Sequence, residues 1–319
     1  MFNKFTVAIL SVLSLLTLVI KPLDRTPLEG SRYYYNSLEN IDEIRDDIVN
    51  TLNGDTIKVG WAKESLIPTE PVPLAGYGAR KGANFEGVDD TIFVKAVVFD
   101  NKITKAAYVS MDLLIVPPNL DHEKILDKLS FEVNNLYLTA SHTHSSIGGY
   151  LEGLAGKIFG GEYSEDILEF ITNKTILALE EAYYNREKSK IGYGRIYASN
   201  FVTNRLVGDS IGTYDPFIRL IKINTESGKN AAIFSYAAHA TCYGHKQRDL
   251  SGDYPGRLTS MLEMTREIDF AVYGAGAVGS MSPRTKSVEG AMRVKEISYG
   301  LFEKIYEGYR IMGAKYETK

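Results

Sequence analysis

The chain has 319 residues, is 44% hydrophobic, and carries a formal charge of −4 from 36 Lys and Arg against 40 Asp and Glu. It is long and apolar enough for one enzyme-sized core, and without basic runs or zinc-knuckle spacing it has no nucleic-acid-binding footprint. The single cysteine, Cys242, excludes an intramolecular disulfide and reads as a small buried apolar residue.

The chain opens on an uncharged run from Phe5 to Ile20, sixteen residues between Lys4 and Lys21. That is short for a membrane span and suits the core of a signal peptide, so residues 1–21 read as a signal peptide or membrane anchor. The expected location is exported, whether periplasmic, membrane-anchored or secreted, with any membrane association running through this segment. Residues 22–54, with Tyr33, Tyr34 and Tyr35 and the charged stretch IDEIRDDIV, read as a tether with a short helix. No Pro/Gly/Ser-rich linker divides residues 55–319, which are taken as one hydrolase-sized domain.

Strand and helix signals then alternate, which predicts an α/β fold of layered mixed β-sheets flanked by helices. In the first half IFVKAVVFD, a turn at Asn101 and AAYVSMDLL form a hairpin, followed by a helical stretch and the strand NLYLTASHTH. Ser164 to Tyr184 is a predicted helix, with Ser164 as its cap and Glu165 and Asp166 in its first turn. The second half repeats the order: FIRLIKINT, a turn at Ser227-Gly228, AAIFSYAAHAT, a helical stretch and FAVYGAGAVGSMSP. This echo of element types, with little sequence identity, suggests two pseudo-symmetric halves whose site lies where they meet. From Val288 to Tyr309 the apolar positions Met292, Ile297, Leu301, Ile305 and Tyr309 recur at helical spacing.

The chemistry-bearing residues gather at strand ends. His142 and His144, one residue apart after an apolar run, point to one face if the strand continues through them, and imidazole is the commonest ligand for zinc-type metals. His239 ends the next apolar strand and is a candidate base or support for a ligand; Asp253 in SGDYPG is a candidate ligand or a helix cap. Asp112 ends the strand YVSMD and is a candidate to orient a ligand histidine. His245 lies in a polar loop and is expected to face solvent. Ser280 and Ser282 sit in a glycine-rich turn before Pro283, where Gly276 and Gly279 let backbone N–H groups approach a developing oxyanion. Ser282-Pro283 equally suits a helix start, a position where a nucleophile gains from the positive end of the helix dipole.

An ordered series of segments resembles the catalytic N-terminal domain of the neutral/alkaline non-lysosomal ceramidase family. The pieces are VGWAKESLIP, LAGYGAR, GVDDTIFVKAVVFD, AAYVSMDLL, LTASHTHSSIGGY, AAHATCYG, SGDYPG and GAVGSMSP, spread over about residues 56–310. The resemblance implies a zinc-dependent amidohydrolase that cleaves the N-acyl bond of a ceramide-like lipid into a fatty acid and a sphingoid base. It places the nucleophile on Ser282 and one metal histidine on His142 or His144. It also places Asp89 where the family usually has a histidine, so a carboxylate oxygen is the expected donor there, with altered affinity or a harder metal. The expected metal set is therefore His142, His144, Asp89 and Asp253, with Ser282 and His239 catalytic and Zn2+ as cofactor.

The family supplies a further glutamate and tyrosine ligand from well beyond the nucleophile turn, whereas 37 residues follow Ser282 here. Glu296, Tyr299, Glu303 and Tyr306 are candidates on the last helix, against the simpler reading of a surface helix packed on a sheet. The expected partner is a lipid or other N-acyl small molecule. The alternatives to a ceramidase-like activity are hydrolysis of another amide or ester, or a catalytically impaired envelope protein that binds through the same pocket.

Overall fold

The computed structural model describes residues 9–11, 13–14, 27–51 and 57–312. Most of the segment read as a signal peptide or anchor lies outside these residues. Among the described residues, no helix is long and apolar enough to cross a membrane. The chain separates into two compact units, Met1–Asn53 and Gly54–Lys319. In the first, helix α1 spans Arg32–Thr51. It is longer than the short helix expected around IDEIRDDIV, because no Pro or Gly between Arg32 and Thr51 interrupts it.

The second unit contains twelve described strands and five described α-helices. In chain order they are β1 (Ile57–Ser65), β2 (Gly87–Val88), β3 (Phe93–Asp100), β4 (Lys105–Met111), α2 (His122–Lys128), β5 (Asn135–Ala140), α3 (Gly153–Gly160) and α4 (Glu165–Tyr184). They continue with β6 (Glu187–Tyr197), β7 (Val202–Asn204), β8 (Phe217–Thr225), β9 (Asn230–Tyr236), β10 (Asp249–Leu250), α5 (Asp253–Glu263), β11 (Phe270–Ala275), β12 (Met281–Pro283) and α6 (Ala291–Ile311). The fold is α/β with a mixed sheet, as the alternating signals predict.

One eight-stranded sheet runs in the order β11-β9-β8-β6-β1-β3-β4-β5, and it reads alike from either edge. From one edge β5 is parallel to β4, and β4 forms an antiparallel hairpin with β3, which pairs with β1. From the other edge β11 is parallel to β9, and β9 forms an antiparallel hairpin with β8, which pairs with β6. Strands β1 and β6 join the halves antiparallel, through Ile57↔Ser189 to Val59↔Glu187. Each half thus makes a hairpin and then crosses over, through α2 or α5, to a parallel edge strand. This is the internal echo of element types seen in the sequence.

The sheet folds back so that its halves face each other. Lys95 Nζ on β3 donates to the Ala271 carbonyl on β11 at 2.8 Å, and Ser110 Oγ on β4 donates to the Tyr273 carbonyl. Side-chain alternation at period two then feeds separate cores. Val59, Val97, Ile223, Ile233, Phe270 and Val272 meet between the halves. Ala96 and Val98 point the other way, to the core under α4 with Ile171, Ala178 and Leu179. Ala232, Phe234, Ala271 and Tyr273 point to the core under α5 and α6 with Leu258, Leu301 and Ile305. Both parallel pairs, β4-β5 and β9-β11, end in loops rich in the residues singled out above. In open α/β sheets such carboxyl ends are where ligands bind.

Candidate metal centre

Strand β5 stops at Ala140, so His142 and His144 lie in a loop and not in the continued strand that their spacing suggests. His142 adopts φ +61°, a left-handed turn that redirects the chain. The two imidazoles nevertheless converge, and His239, which follows β9 in the other half of the sheet, meets them. His239 Nε2 lies 3.0 Å from His142 Nε2 and 2.9 Å from His144 Nε2. Among the described residues these three form the group of His, Cys, Asp or Glu side chains able to hold a metal ion.

Each ring is turned by a backbone carbonyl. His142 Nδ1 donates to Leu114 O at 2.6 Å, His144 Nδ1 to Gly76 O at 3.0 Å, and His239 Nδ1 to Val278 O at 3.1 Å. A carbonyl only accepts, so each Nδ1 carries the proton and each Nε2 presents a lone pair. Three lone pairs within 4.8 Å of one another, with no proton between them, repel, and a cation resolves the repulsion. Burial holds His144 down to about 3 and His239 down to about 4, and it lowers His142 as well, so all three stay neutral at physiological pH. His239 and His142 add to the effect on His144 by mutual repulsion. The residues therefore fit a zinc-type ion: three neutral imidazoles whose free nitrogens converge, with the second nitrogen of each ring already engaged. Asp112 does not orient a histidine; its Oδ2 accepts from the Phe93 N–H at 3.0 Å.

The loops that carry these groups are fastened to one another. Residues 73–76 run beside 146–148, with Leu74 bridging Ile147 and the Ala75 N–H donating to Ser146 O. Arg80 is buried and donates to the carbonyls of Ala75, His144 and Gln247, at 2.9, 2.5 and 2.9 Å. Gly76, Arg80, Leu114 and Val278 lie within the segments LAGYGAR, AAYVSMDLL and GAVGSMSP, but nothing in the sequence assigns them these tasks, because a carbonyl acceptor leaves no residue-type signal and the partners of Arg80 are carbonyls too.

The other expected site residues lie elsewhere. Asp253 is fully buried and spends its carboxylate on backbone amides: Oδ2 accepts from Cys242 and Tyr243, and Oδ1 from Tyr254. Asp89 Oδ2 accepts from the Tyr243 hydroxyl at 2.7 Å. The structure brings neither carboxylate into the three-histidine group. Ser282 lies in β12, opposite Thr203 of β7, and its Oγ accepts from Arg293 at 3.3 Å. The turn before it reaches the histidines through Val278 and is tied by Arg205, whose Nε and Nη2 donate to Gly279 O. The Gly276 N–H donates to Tyr236 O and is not available to an oxyanion. On α6, Glu296 accepts from the amides of Lys286 and Ser287, and Tyr299 is exposed. Cys242 is buried, and His245 is exposed.

Leu114, whose carbonyl orients His142, also lines an apolar groove of about 410 Å³ with Ile115, Pro118, Leu151, Ala155 and Phe159. Helix α3 carries exposed Leu154, Ile158 and Phe159 at its side.

Residues 67–293 match the family described as neutral/alkaline non-lysosomal ceramidase, N-terminal. A neutral ceramidase from Drosophila pseudoobscura pseudoobscura is 24% identical, over 65% of this chain and 32% of that protein. Among solved structures, a ceramidase complexed with C2 matches with a TM-score of 0.70 at 22% identity, covering 79% of this chain and 43% of the other. The neutral ceramidase from Pseudomonas aeruginosa matches with a TM-score of 0.69 at 22% identity, covering 79% of this chain and 44% of the other. At that identity the likeness is one of fold, and the chain spans less than half the length of each of these relatives. With 227 consecutive residues matched (67 to 293), the chain belongs to the neutral/alkaline non-lysosomal ceramidase family, within its N-terminal region.

Proposed function

We propose that this chain is a metal-dependent hydrolase that cleaves the N-acyl amide bond of a ceramide-like lipid, giving a fatty acid and a sphingoid base. The observation that carries the reading is the convergence of the Nε2 atoms of His142, His144 and His239, with each Nδ1 proton committed to a carbonyl. When bound, a zinc ion at these residues supplies Lewis-acid polarisation of the scissile carbonyl. A set of three protein ligands suits a catalytic ion, whose fourth position would be left to water or substrate, better than a structural site closed by four.

The chain's own residues supply the rest. Ser282 is the nucleophile: its Oγ bonds to the acyl carbon as the C–N bond breaks, and its proton ends on the leaving amine. Water then hydrolyses the acyl ester and restores the hydroxyl. The apolar groove beside Leu114 takes the acyl chain, which favours a lipid over a polar amide. His239 acts as a ligand, since its Nε2 shares the point reached by His142 and His144.

Elemental analysis of the purified protein, alongside His142→Ala/His144→Ala, His239→Ala and Asp89→Ala variants, tests the centre. Near-stoichiometric zinc is expected in the wild type and in Asp89→Ala, and is lost in the histidine variants. Assays on an N-acyl sphingoid and on simple N-acyl amines test the reaction, with fatty acid expected from the sphingoid substrate and none with Ser282→Ala. No metal after zinc reconstitution, or no hydrolysis by metal-replete protein, sinks the reading.

A further inference from the structure

Arg293 stands in the first turn of α6, and its guanidinium spans four oxygen atoms. Nη2 donates to Ser282 Oγ at 3.3 Å and to Pro283 O at 2.9 Å, Nη1 to Thr241 O at 3.1 Å, and Nε to Thr285 Oγ1 at 3.1 Å. None of the four belongs to a carboxylate, so the charge is directed at the serine turn itself. Thr241 follows His239 by two residues, so one planar cation joins the loop after β9, which carries a histidine of the metal centre, to β12, which carries the serine. The helix start is held in the same place by the Gly290 N–H, which donates to Cys242 O.

We propose that Arg293 is a catalytic residue for Ser282, holding its hydroxyl oxygen as a hydrogen-bond acceptor. An oxygen that accepts from the guanidinium keeps its own O–H directed elsewhere, free to leave when the oxygen attacks. A fixed cation beside that oxygen also costs no reorganisation as negative charge builds on it. The inference rests on the reading of Ser282 as the nucleophile, and it adds a group that the motifs around that serine do not contain. Lysine is no substitute, because a compact ammonium cannot span four acceptors laid out for a planar fork.

The test measures Ser282 reactivity directly. A fluorophosphonate reacts with an activated serine by forming an Oγ–P bond as the P–F bond breaks, and the serine proton leaves with the fluoride. Zinc-loaded protein is treated with this probe as wild type, Ser282→Ala, Arg293→Ala and Arg293→Lys, with the labelled residue mapped by mass spectrometry and bound zinc measured in parallel. Wild-type label is expected on Ser282, with Arg293→Ala slower by about 10²-fold, the loss typical of removing one fixed donor to a reacting oxygen. Arg293→Lys recovers little of the rate, both variants keep their zinc, and added guanidinium speeds Arg293→Ala but not the wild type. Wild-type rates in Arg293→Ala overturn the role of Arg293 and leave the serine reading standing. Loss of fold or zinc in both arginine variants makes the residue structural and overturns the role as well. An unlabelled Ser282 in active wild-type protein overturns the serine reading and this inference together.

Discussion

An imidazole binds a cation only through a nitrogen that carries no proton, so the decisive residues at this centre include the groups that hold the other nitrogen. Gly76 is one of them. It adopts φ +114°, and a Cβ there would lie 2.7 Å from both Cα and Cβ of His144, the ring that its carbonyl orients. Gly76→Ala is expected to weaken zinc binding by about 10- to 100-fold, the usual cost of disturbing the partner of a ligand. Competition with a colorimetric zinc chelator reads this out, and an unchanged affinity would show that His144 is not held from Gly76. Asp90 makes a different statement, about pH. Its carboxylate accepts from Ser251 Oγ at 2.5 Å and the Gly252 N–H at 2.8 Å, yet burial raises it from the ordinary 3.8 to about 7. A raised carboxylate is protonated more readily folded than unfolded, so it costs nothing below pH 3.8 and destabilises progressively as pH rises to about 7. Asp90→Asn removes that cost, because Ser251 Oγ can accept from an amide in its place. The stability of Asp90→Asn relative to wild type, by urea unfolding at several pH values, is expected to grow between pH 4 and 7; a pH-independent difference contradicts the assignment.

Between elements, the demanding contact is the one that closes the sheet upon itself. Strand β11 reaches β4 and β5 across the interior, and at Gly274 there is no room for a side chain. A Cβ there would lie 2.1 Å from Tyr108 Oη and 3.1 Å from Thr139 Cγ2. Tyr108 cannot swing away freely, since its ring stacks on Tyr137 at 5.5 Å. Gly274→Ala is expected to destabilise by about 1–3 kcal/mol, the range for forcing an added methyl group against its neighbours. Adding Tyr108→Phe should return much of that loss, because it removes the clashing atom. A double-mutant cycle of denaturant midpoints measures the coupling, and simple additivity of the two changes would rule out this contact. The same face holds Lys95, whose ammonium is buried and bonds to Glu263 and to Ala271 O. This polar clasp between β3 and the second half of the sheet has the rings of Phe93 and Phe270 beside it, in a strand whose sequence is otherwise apolar up to Asp100 at its end.

Over the whole molecule, much was determined by the sequence alone. Alternating apolar runs placed both hairpins, since period-two patterning and the turns at Asn101 and Ser227-Gly228 are local properties. The two long helices, α4 and α6, were equally plain, because 3.6-residue periodicity persists over about twenty residues in each. Strands β1 and β6 carried no clear signal: Gly60, Gly192 and Gly194 interrupt their patterns, and only pairing with each other and with β3 and β8 makes them the centre of the sheet. At the site, the residue types at strand ends marked His142, His144 and His239 as chemistry-bearing, because histidines spaced by one and placed after apolar runs are scarce in this chain. What only the tertiary structure decided is which of them share a point. His142 and His144 come from one half of the sheet and His239 from the other, 95 residues beyond His144, and no local pattern spans that separation. The fold likewise decided that Asp253 fastens the amides of Cys242 and Tyr243 and that Asp89 binds Tyr243, since a carboxylate looks the same in sequence whether amides or a metal await it. Orientation was the least legible part. The carbonyls of Leu114, Gly76 and Val278 turn the three rings, and every residue in the chain has a carbonyl, so only the folded backbone selects these three.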